Sequence, residues 1–204
     1  MKEDQKPSLS KALLQNKGIA VEIGTWEGDF SWELLNHCNF TKVYCVDPYK
    51  HFTDESYPDG MNDLTQEEFN KKFETVKNRF KQFGNRVEFL RMTSQEAASL
   101  FEEKSINFIY IDGNHDKKAV VNDIQSWWSK IKIGGFCAGD DIYSTDINEH
   151  DSDGNVSRVW EWDSNQKPTC WGKYGTYASL VECSKIFNYT YTIEGTQFCI
   201  EKKL

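Results

Sequence analysis

Val21-Glu-Ile-Gly-Thr-Trp-Glu-Gly28 joins an apolar run, Ile19 to Ile23, to a helical stretch through a turn holding an acid and two glycines. A strand, a glycine turn and a helix in succession bring backbone N–H groups and a helix N-terminus close to a ligand. A dinucleotide site calls for G-x-G-x-x-G, whose middle glycine lets the backbone approach a pyrophosphate. Here Trp26 fills that middle place and Glu22 sits two residues before the first glycine. An acid at the strand end repels phosphate but suits a cationic group. The turn therefore points to S-adenosylmethionine, with its amino group and sulfonium, rather than to NAD. Gly24, Thr25, Trp26 and Gly28 are its contact candidates together with Glu22.

Outward from this turn the chain alternates strands and helices. Leu9, Ala12 and Leu13 suggest a leading helix in an N-terminal extension, residues 1–17. Ile19–Ile23 is the first strand and Phe30–Cys38 its helix; Val43–Val46 is the second strand, ending at Asp47. Phe69, Phe73, Val76, Phe80 and Phe83 recur at steps of four and three, an amphipathic helix closed by Gly84. Val87–Leu90 is the third strand, followed by a helix over Ser94–Phe101, and Ile106–Ile111 the fourth. Val120, Ile124, Trp127 and Ile131 mark a helix that stops before Gly134-Gly135, and Phe136–Ala138 is the fifth strand. Residues 142–176 read as a polar, aromatic loop or lid. Tyr177–Phe187 reads as a helix, with Tyr189–Ile193 and Gln197–Glu201 as a closing hairpin. This pattern predicts one α/β domain over residues 1–204, with a mostly parallel Rossmann-like sheet, helices on both faces and a C-terminal antiparallel hairpin.

Ligands of such sheets bind at the carboxyl ends of the strands, and five consecutive strand ends here carry functional side chains. Asp47 suits both ribose hydroxyls of a nucleoside, or caps a turn before Pro48. Thr93 and Ser94, beside Met92, suit the edge of an adenine, and Ser94 equally suits a helix N-cap. Asp112, Asp140 and Asp141 would repel one another unless protonated or neutralised; a hard divalent cation such as Mg²⁺ or Mn²⁺ does this with oxygen ligands. His115, three residues past Asp112, is the one histidine of four placed beside such an ion. The segment Val156–Tyr177 adds Trp160, Trp171 and Tyr174, whose faces suit stacking on a sugar or packing as a lid. Asp151-x-Asp-Gly-Asn155 lacks the Gly and Glu of a calcium loop and is set aside.

Composition sets outer limits. The 204 residues are 38% hydrophobic and carry net charge −8 from 32 acids against 24 bases, with no basic block. A phosphate-contacting nucleic-acid surface is disfavoured. No run approaches the roughly 18 apolar residues of a membrane span, and no apolar leader follows Met1, so the chain reads as soluble and cytoplasmic. Six cysteines without a C-x-x-C pair read as buried free thiols. A homo-oligomer is compatible with all of this.

Four segments together carry a family resemblance: Val21-Glu-Ile-Gly-Thr-x-x-Gly28, Val43-x-x-Val-Asp47, Ile111-Asp-Gly-x-His115, and Asp123-Ile-x-x-Trp-Trp-x-Lys-Ile-Lys-x-Gly-Gly-Phe-x-Ala-Gly-Asp-Asp141. Over residues 18 to 142 the chain resembles the class I S-adenosylmethionine-dependent methyltransferases. It is most similar to the metal-dependent branch with macrolide sugar O-methyltransferases and cephalosporin-hydroxylase-like proteins. The resemblance implies a seven-stranded sheet of order 3-2-1-4-5-7-6. It implies that Glu22 and Gly24 hold the methionine moiety and Asp47 the ribose. Asp112, Asp140 and Asp141 would be metal ligands and His115 the base, with a glycan or small-molecule acceptor. Asp140 stands where relatives often carry glutamate. An NAD-linked oxidoreductase and a non-catalytic scaffold are the rival readings.

Overall fold

The computed structural model describes residues 5–53, 57, 60–162, 164, 166 and 168–204; the side chains of 60, 61, 160–162 and 168–171 lie outside the description. Among the described residues nine strands form, β1 (Ile19–Ile23), β2 (Lys42–Val46), β3 (Val87–Leu90), β4 (Ile106–Ile111), β5 (Ile131–Gly139), β6 (Val156–Trp162), β7 (Pro168–Tyr174), β8 (Tyr191–Glu194) and β9 (Gln197–Glu201). Six α-helices accompany them among the described residues, α1 (Lys6–Gln15), α2 (Asp29–His37), α3 (Gln66–Arg79), α4 (Ser94–Ala98), α5 (Lys117–Trp128) and α6 (Thr176–Phe187). Seven strands make one sheet in the order β3-β2-β1-β4-β5-β9-β8, and β6 pairs with β7 apart from it. Counted within the sheet alone, this is the expected order 3-2-1-4-5-7-6. Strands β1 to β5 are parallel, and β9 and β8 run antiparallel at the edge.

Strand alternation sorts the core into two layers. Val21, Ile23, Ile109 and Ile111 meet Ala97 and Ala98 of α4, Val120, Ile124 and Trp127 of α5, and Leu180 of α6. Ala20, Val43, Phe108 and Tyr110 meet Leu9 of α1, Phe30 and Leu34 of α2, and Val76 of α3. Every residue of β4 is buried, as a central parallel strand covered on both faces requires.

Several boundaries differ from the periodicity reading. Ile131 is not the last residue of a helix: α5 ends at Trp128, and Ile131 opens β5 opposite Ile106. The register shifts between Ile106 and Phe108, so residues 132–135 form an irregularity rather than a helix stop. Gly134 there has φ +77° and donates its N–H to Lys202 O at 2.7 Å. Helix α4 stops at Ala98, short of Phe101, and Thr93 rather than Ser94 is its N-cap, in a capping box with Glu96. Residues 142–176 are not simply a loop, because they contain the β6–β7 hairpin. Cys38, Cys45, Cys137, Cys183 and Cys199 are free, and all but Cys199 are buried.

Candidate functional site

The turn after β1 is fixed by close backbone contacts. Gly24 has φ +83°, and a Cβ there would lie 2.1 Å from Asp112 O and 2.3 Å from Gly113 Cα. Only glycine lets the β1 and β4 loops touch in this way. Asp112 N donates to Ile23 O at 2.8 Å, and Gly24 N to Val46 O at 2.8 Å, so three strand ends are tied at one point. Glu22 lies beneath this turn, 2% exposed, and its carboxylate accepts from Ser31 Oγ of α2. Burial raises its carboxyl well above the usual range; the Ser31 bond opposes this, and Asp112 and Asp47 add to it. Thr25 is buried as well.

Trp26 takes the left-handed conformation, φ +45°, in the place of the missing glycine. Its N–H donates to Asp47 Oδ2 at 2.9 Å, while Tyr49 N donates to Asp47 Oδ1 at 2.8 Å. Burial raises the Asp47 carboxyl and these two bonds oppose it. Each Asp47 oxygen keeps a lone pair beyond its backbone bond. The Trp26 indole turns toward α3, edge-on to Phe69 at 6.2 Å with the Lys72 ammonium 4.6 Å above its ring centre. Gly28 caps α2 at φ +74°, and a Cβ there would lie 2.8 Å from the Phe80 ring, so packing requires this glycine. The Pro48 carbonyl faces Arg91 Nε at 3.4 Å. Past β3, the Thr93 hydroxyl bonds Glu96 at 2.7 Å and Ser94 Oγ accepts from Trp127 Nε1 at 2.9 Å. Both hydroxyls therefore serve local structure.

Two of the three acids expected at β4 and β5, Asp112 and Asp141, converge with His115. His115 Nε2 lies 3.0 Å from Asp141 Oδ2 and 3.7 Å from Asp112 Oδ1. Burial by itself would lower the imidazole, but the charges of Asp141, Asp112 and Asp140 and the Asp141 hydrogen bond outweigh it and raise it to about 9. One ligand atom from each of Asp112, His115 and Asp141 lies within 4.8 Å of the others. Neighbouring ligands of an octahedral ion with bonds of about 2.1 Å stand roughly 3 Å apart; the 3.0 Å between His115 Nε2 and Asp141 Oδ2 matches that spacing, and the three residues could hold a divalent cation. Asp140 is outside that group: its Oδ1 accepts from Thr196 Oγ1 and from Asp141 N at 2.7 Å. The metal set read from sequence thus meets His115 where it placed Asp140. The left-handed Asp141, φ +65°, turns its carboxylate toward His115 while Asp140 turns toward β9.

A hairpin that sequence periodicity missed sits over this cluster. Tyr174, at the end of β7, stacks on His115 with ring centres 5.6 Å apart and meets Tyr143 edge-on at 4.5 Å. Tyr143 donates to Asp141 Oδ1 at 2.9 Å. Both ends of the hairpin are bolted to the β4–α5 loop. Gly175 N donates to His115 O at 2.7 Å; Asn155 Oδ1 accepts from Lys117 N at 2.7 Å, and its Nδ2 donates to Asp116 at 2.9 Å. The Asp151–Asn155 run is a turn closed on Asp151 Oδ1, which accepts from Asp153 N and Asn155 N at 2.9 Å. That closure delivers Asn155, and the repeated Asx residues were its sequence signal. Strand β7 also lies against the 3-10 turn Gly60–Asp63 in the β2–α3 connection. The hairpin thus spans the carboxyl edge from the β5 side to the β2 side. The Trp160 and Trp171 side chains lie outside the described residues.

Residues 21–142, over half of the chain, match the family model of a methyltransferase domain. The chain belongs to this family, as a class I S-adenosylmethionine-dependent methyltransferase, and is therefore an enzyme. No curated protein matches it in sequence. Among solved structures, the O-methyltransferase NovP is similar at TM-score 0.61 and 13% identity, over 99% of this chain and 79% of that one. The Burkholderia thailandensis 1,6-didemethyltoxoflavin-N1-methyltransferase, with bound 1,6-didemethyltoxoflavin and S-adenosylhomocysteine, gives 0.57 and 14% over 100% and 80%. An rRNA methylase from Streptococcus thermophilus gives 0.59 and 13% over 100% and 99%. These likenesses establish the fold. No described helix is long and apolar enough to cross a membrane.

Proposed function

We propose that this enzyme transfers the methyl group of S-adenosylmethionine to a hydroxyl of a sugar, in a glycan or glycoside, at the Asp112–His115–Asp141 cluster. The observation that carries this reading is His115 Nε2 held 3.0 Å from Asp141 beside the β1 turn. An aliphatic hydroxyl is a weak nucleophile, so transfer to it needs a group that takes its proton. His115 is that group in its neutral imidazole form, which becomes populated as pH rises toward about 9. As the oxygen–carbon bond forms and the carbon–sulfur bond breaks, the hydroxyl proton passes to the imidazole and S-adenosylhomocysteine leaves. Asp112 and Asp141 would hold a divalent cation, Mg²⁺ or Mn²⁺, which when bound polarises the acceptor oxygens. On the donor side, Asp47 receives the ribose hydroxyls. Glu22, Gly24, Thr25, Trp26 and Gly28 shape the methionine end. Thr93, Ser94 and Pro48 border the nucleoside through backbone and van der Waals surface. The β6–β7 hairpin is the acceptor-side lid, with Tyr174 and the sequence candidates Trp160 and Trp171 as its stacking surfaces.

Oxygen as the acceptor atom agrees with the name of NovP, and the net charge of −8 argues against an RNA substrate despite the rRNA methylase fold match. Mass spectrometry of glycans and glycosides incubated with S-adenosylmethionine tests the reading. A gain of one methyl on a sugar oxygen is expected. Methylation confined to catechols would make the acceptor a small vicinal diol instead of a sugar, and methylation of neither overturns the proposal.

A further inference from the structure

Among the described residues Arg158 has no charged counterpart, although it lies on the inner face of the hairpin. Along β6 the flanking Ser157 and Val159 are exposed, whereas Val156 is buried and Arg158 half-buried. Its Nη2 donates to Tyr143 O at 3.3 Å and its Cζ lies 5.9 Å from the Tyr143 ring centre. Its Nε is buried with no hydrogen-bond partner among the described residues. A buried N–H of a charged group is unfavourable unless an acceptor meets it. Across the ladder stands Gly172, buried and without a side chain, so nothing from that position fills the space beside the guanidinium.

Tyr143 connects this guanidinium to the reacting cluster. Its carbonyl takes the Arg158 bond, its hydroxyl reaches Asp141 and its ring meets Tyr174. Arg158 and the Asp141–His115 pair therefore lie at opposite ends of one tyrosine, on the β5 side of the sheet edge. The β1 turn, which shapes the donor's methionine end, is on the other side of β4. An acceptor oxygen at His115 would extend along Tyr143 toward Arg158. The three aspartates would repel an anionic acceptor unless a fixed cation received its charge, and a planar guanidinium matches two oxygens of a carboxylate, phosphate or sulfate.

We propose that Arg158 is a specificity residue that binds an anionic group of the acceptor, so that the sugar methylated here carries a carboxylate, phosphate or sulfate. This rests on the reading that the acceptor binds at the Asp112–His115–Asp141 cluster. The test is titration calorimetry on the enzyme saturated with S-adenosylhomocysteine, with glucose, glucuronate, glucose 6-phosphate and glucose 6-sulfate as probes. At least one anionic sugar should bind wild type about tenfold or more tighter than glucose. Arg158→Gln should erase that preference, and Arg158→Lys should keep part of it. S-adenosylhomocysteine affinity should stay unchanged in both variants, which also reports that they fold. The anion that binds best identifies its chemistry. Equal binding of anionic and neutral sugars to wild type overturns the inference, and so does weakened S-adenosylhomocysteine binding in Arg158→Gln, which would assign Arg158 to the donor. Methyl transfer to methyl glucoside and methyl glucuronoside separates the two claims. Anion binding without methylation leaves the inference standing and removes the sugar reaction; methylation without charge preference does the reverse.

Discussion

Asp47, at the end of β2, is held by two backbone donors. Its oxygens already accept from Trp26 N and Tyr49 N, and these bonds orient the remaining lone pairs. Asp47→Ala should weaken donor binding by about 1.5–3 kcal/mol per lost charged hydrogen bond, measured by calorimetry with S-adenosylhomocysteine. Unchanged affinity would remove Asp47 from the ribose site. His115 admits a sharper separation of roles, because it is both the proposed base and one corner of the candidate metal set. As base, its replacement by alanine should lower kcat by about 10² to 10⁴ with Mn²⁺ affinity retained. Loss of Mn²⁺ binding together with the rate would make it a ligand instead. Chelation should abolish turnover of wild type but spare S-adenosylhomocysteine binding; full activity in excess EDTA would exclude the ion.

Among the elements, the β6–β7 hairpin depends on few anchors. Asn155, 2% exposed, joins its first strand to Lys117 N and Asp116, and Gly175 N joins its second to His115 O. Asn155→Ala leaves a buried N-terminal N–H of α5 without its acceptor, a cost of about 1–3 kcal/mol. The expected result is a raised acceptor KM with donor affinity nearly unchanged, since the lost order belongs to the lid. Equal losses for donor and acceptor would mean that the hairpin supports the whole edge. Helix α4 carries a different dependence. Its capping box ties Thr93 to Glu96, and Thr93→Ala should lower unfolding free energy by about 1 kcal/mol, read by urea denaturation.

Across the whole molecule, both faces of the sheet are covered and several acids are buried in the process. Asp123 of α5 is 4% exposed, accepting from Gln95 Nε2 at 3.1 Å. Burial pushes it from 3.8 up to about 7, with bonds from Ser94 and Gln95 and the His115 charge opposing. A carboxyl raised on folding binds its proton more tightly in the folded state. Its contribution is fully present below pH 3.8 and is lost as pH rises through about 7. The change is on the order of 4 kcal/mol across that window. Asp123→Asn should flatten the stability profile there, seen as a smaller difference between unfolding free energies at pH 4 and pH 8. An unchanged profile would mean that Asp123 is ionised in the folded protein.

The alternating strand and helix pattern determined a mostly parallel sheet and the edge that carries the strand-end acids, because hydrophobic period is a local property that survives in a linear chain; the strand order followed from the family resemblance. Glu22, Gly24, Asp47, Asp112, Asp140 and Asp141 stood out for the same reason: parallel strands put their last residues on one edge. Spacing could not say which carboxylate turns where. Asp140 faces Thr196 of the β8–β9 turn, 56 residues away, and that bond exists only once β9 has paired with β5. Ile131 looked helical by period and became strand because β4 offered it a partner. The hairpin was hidden in an aromatic, polar segment because its strands pair with each other and pack on loops, leaving no regular apolar face to read. Arg158 is an ordinary residue in the chain. Only the tertiary structure places its guanidinium beside Tyr143 with Nε buried and unmatched among the described residues, since burial and partnering are properties of the packed molecule and not of any residue's neighbours in sequence.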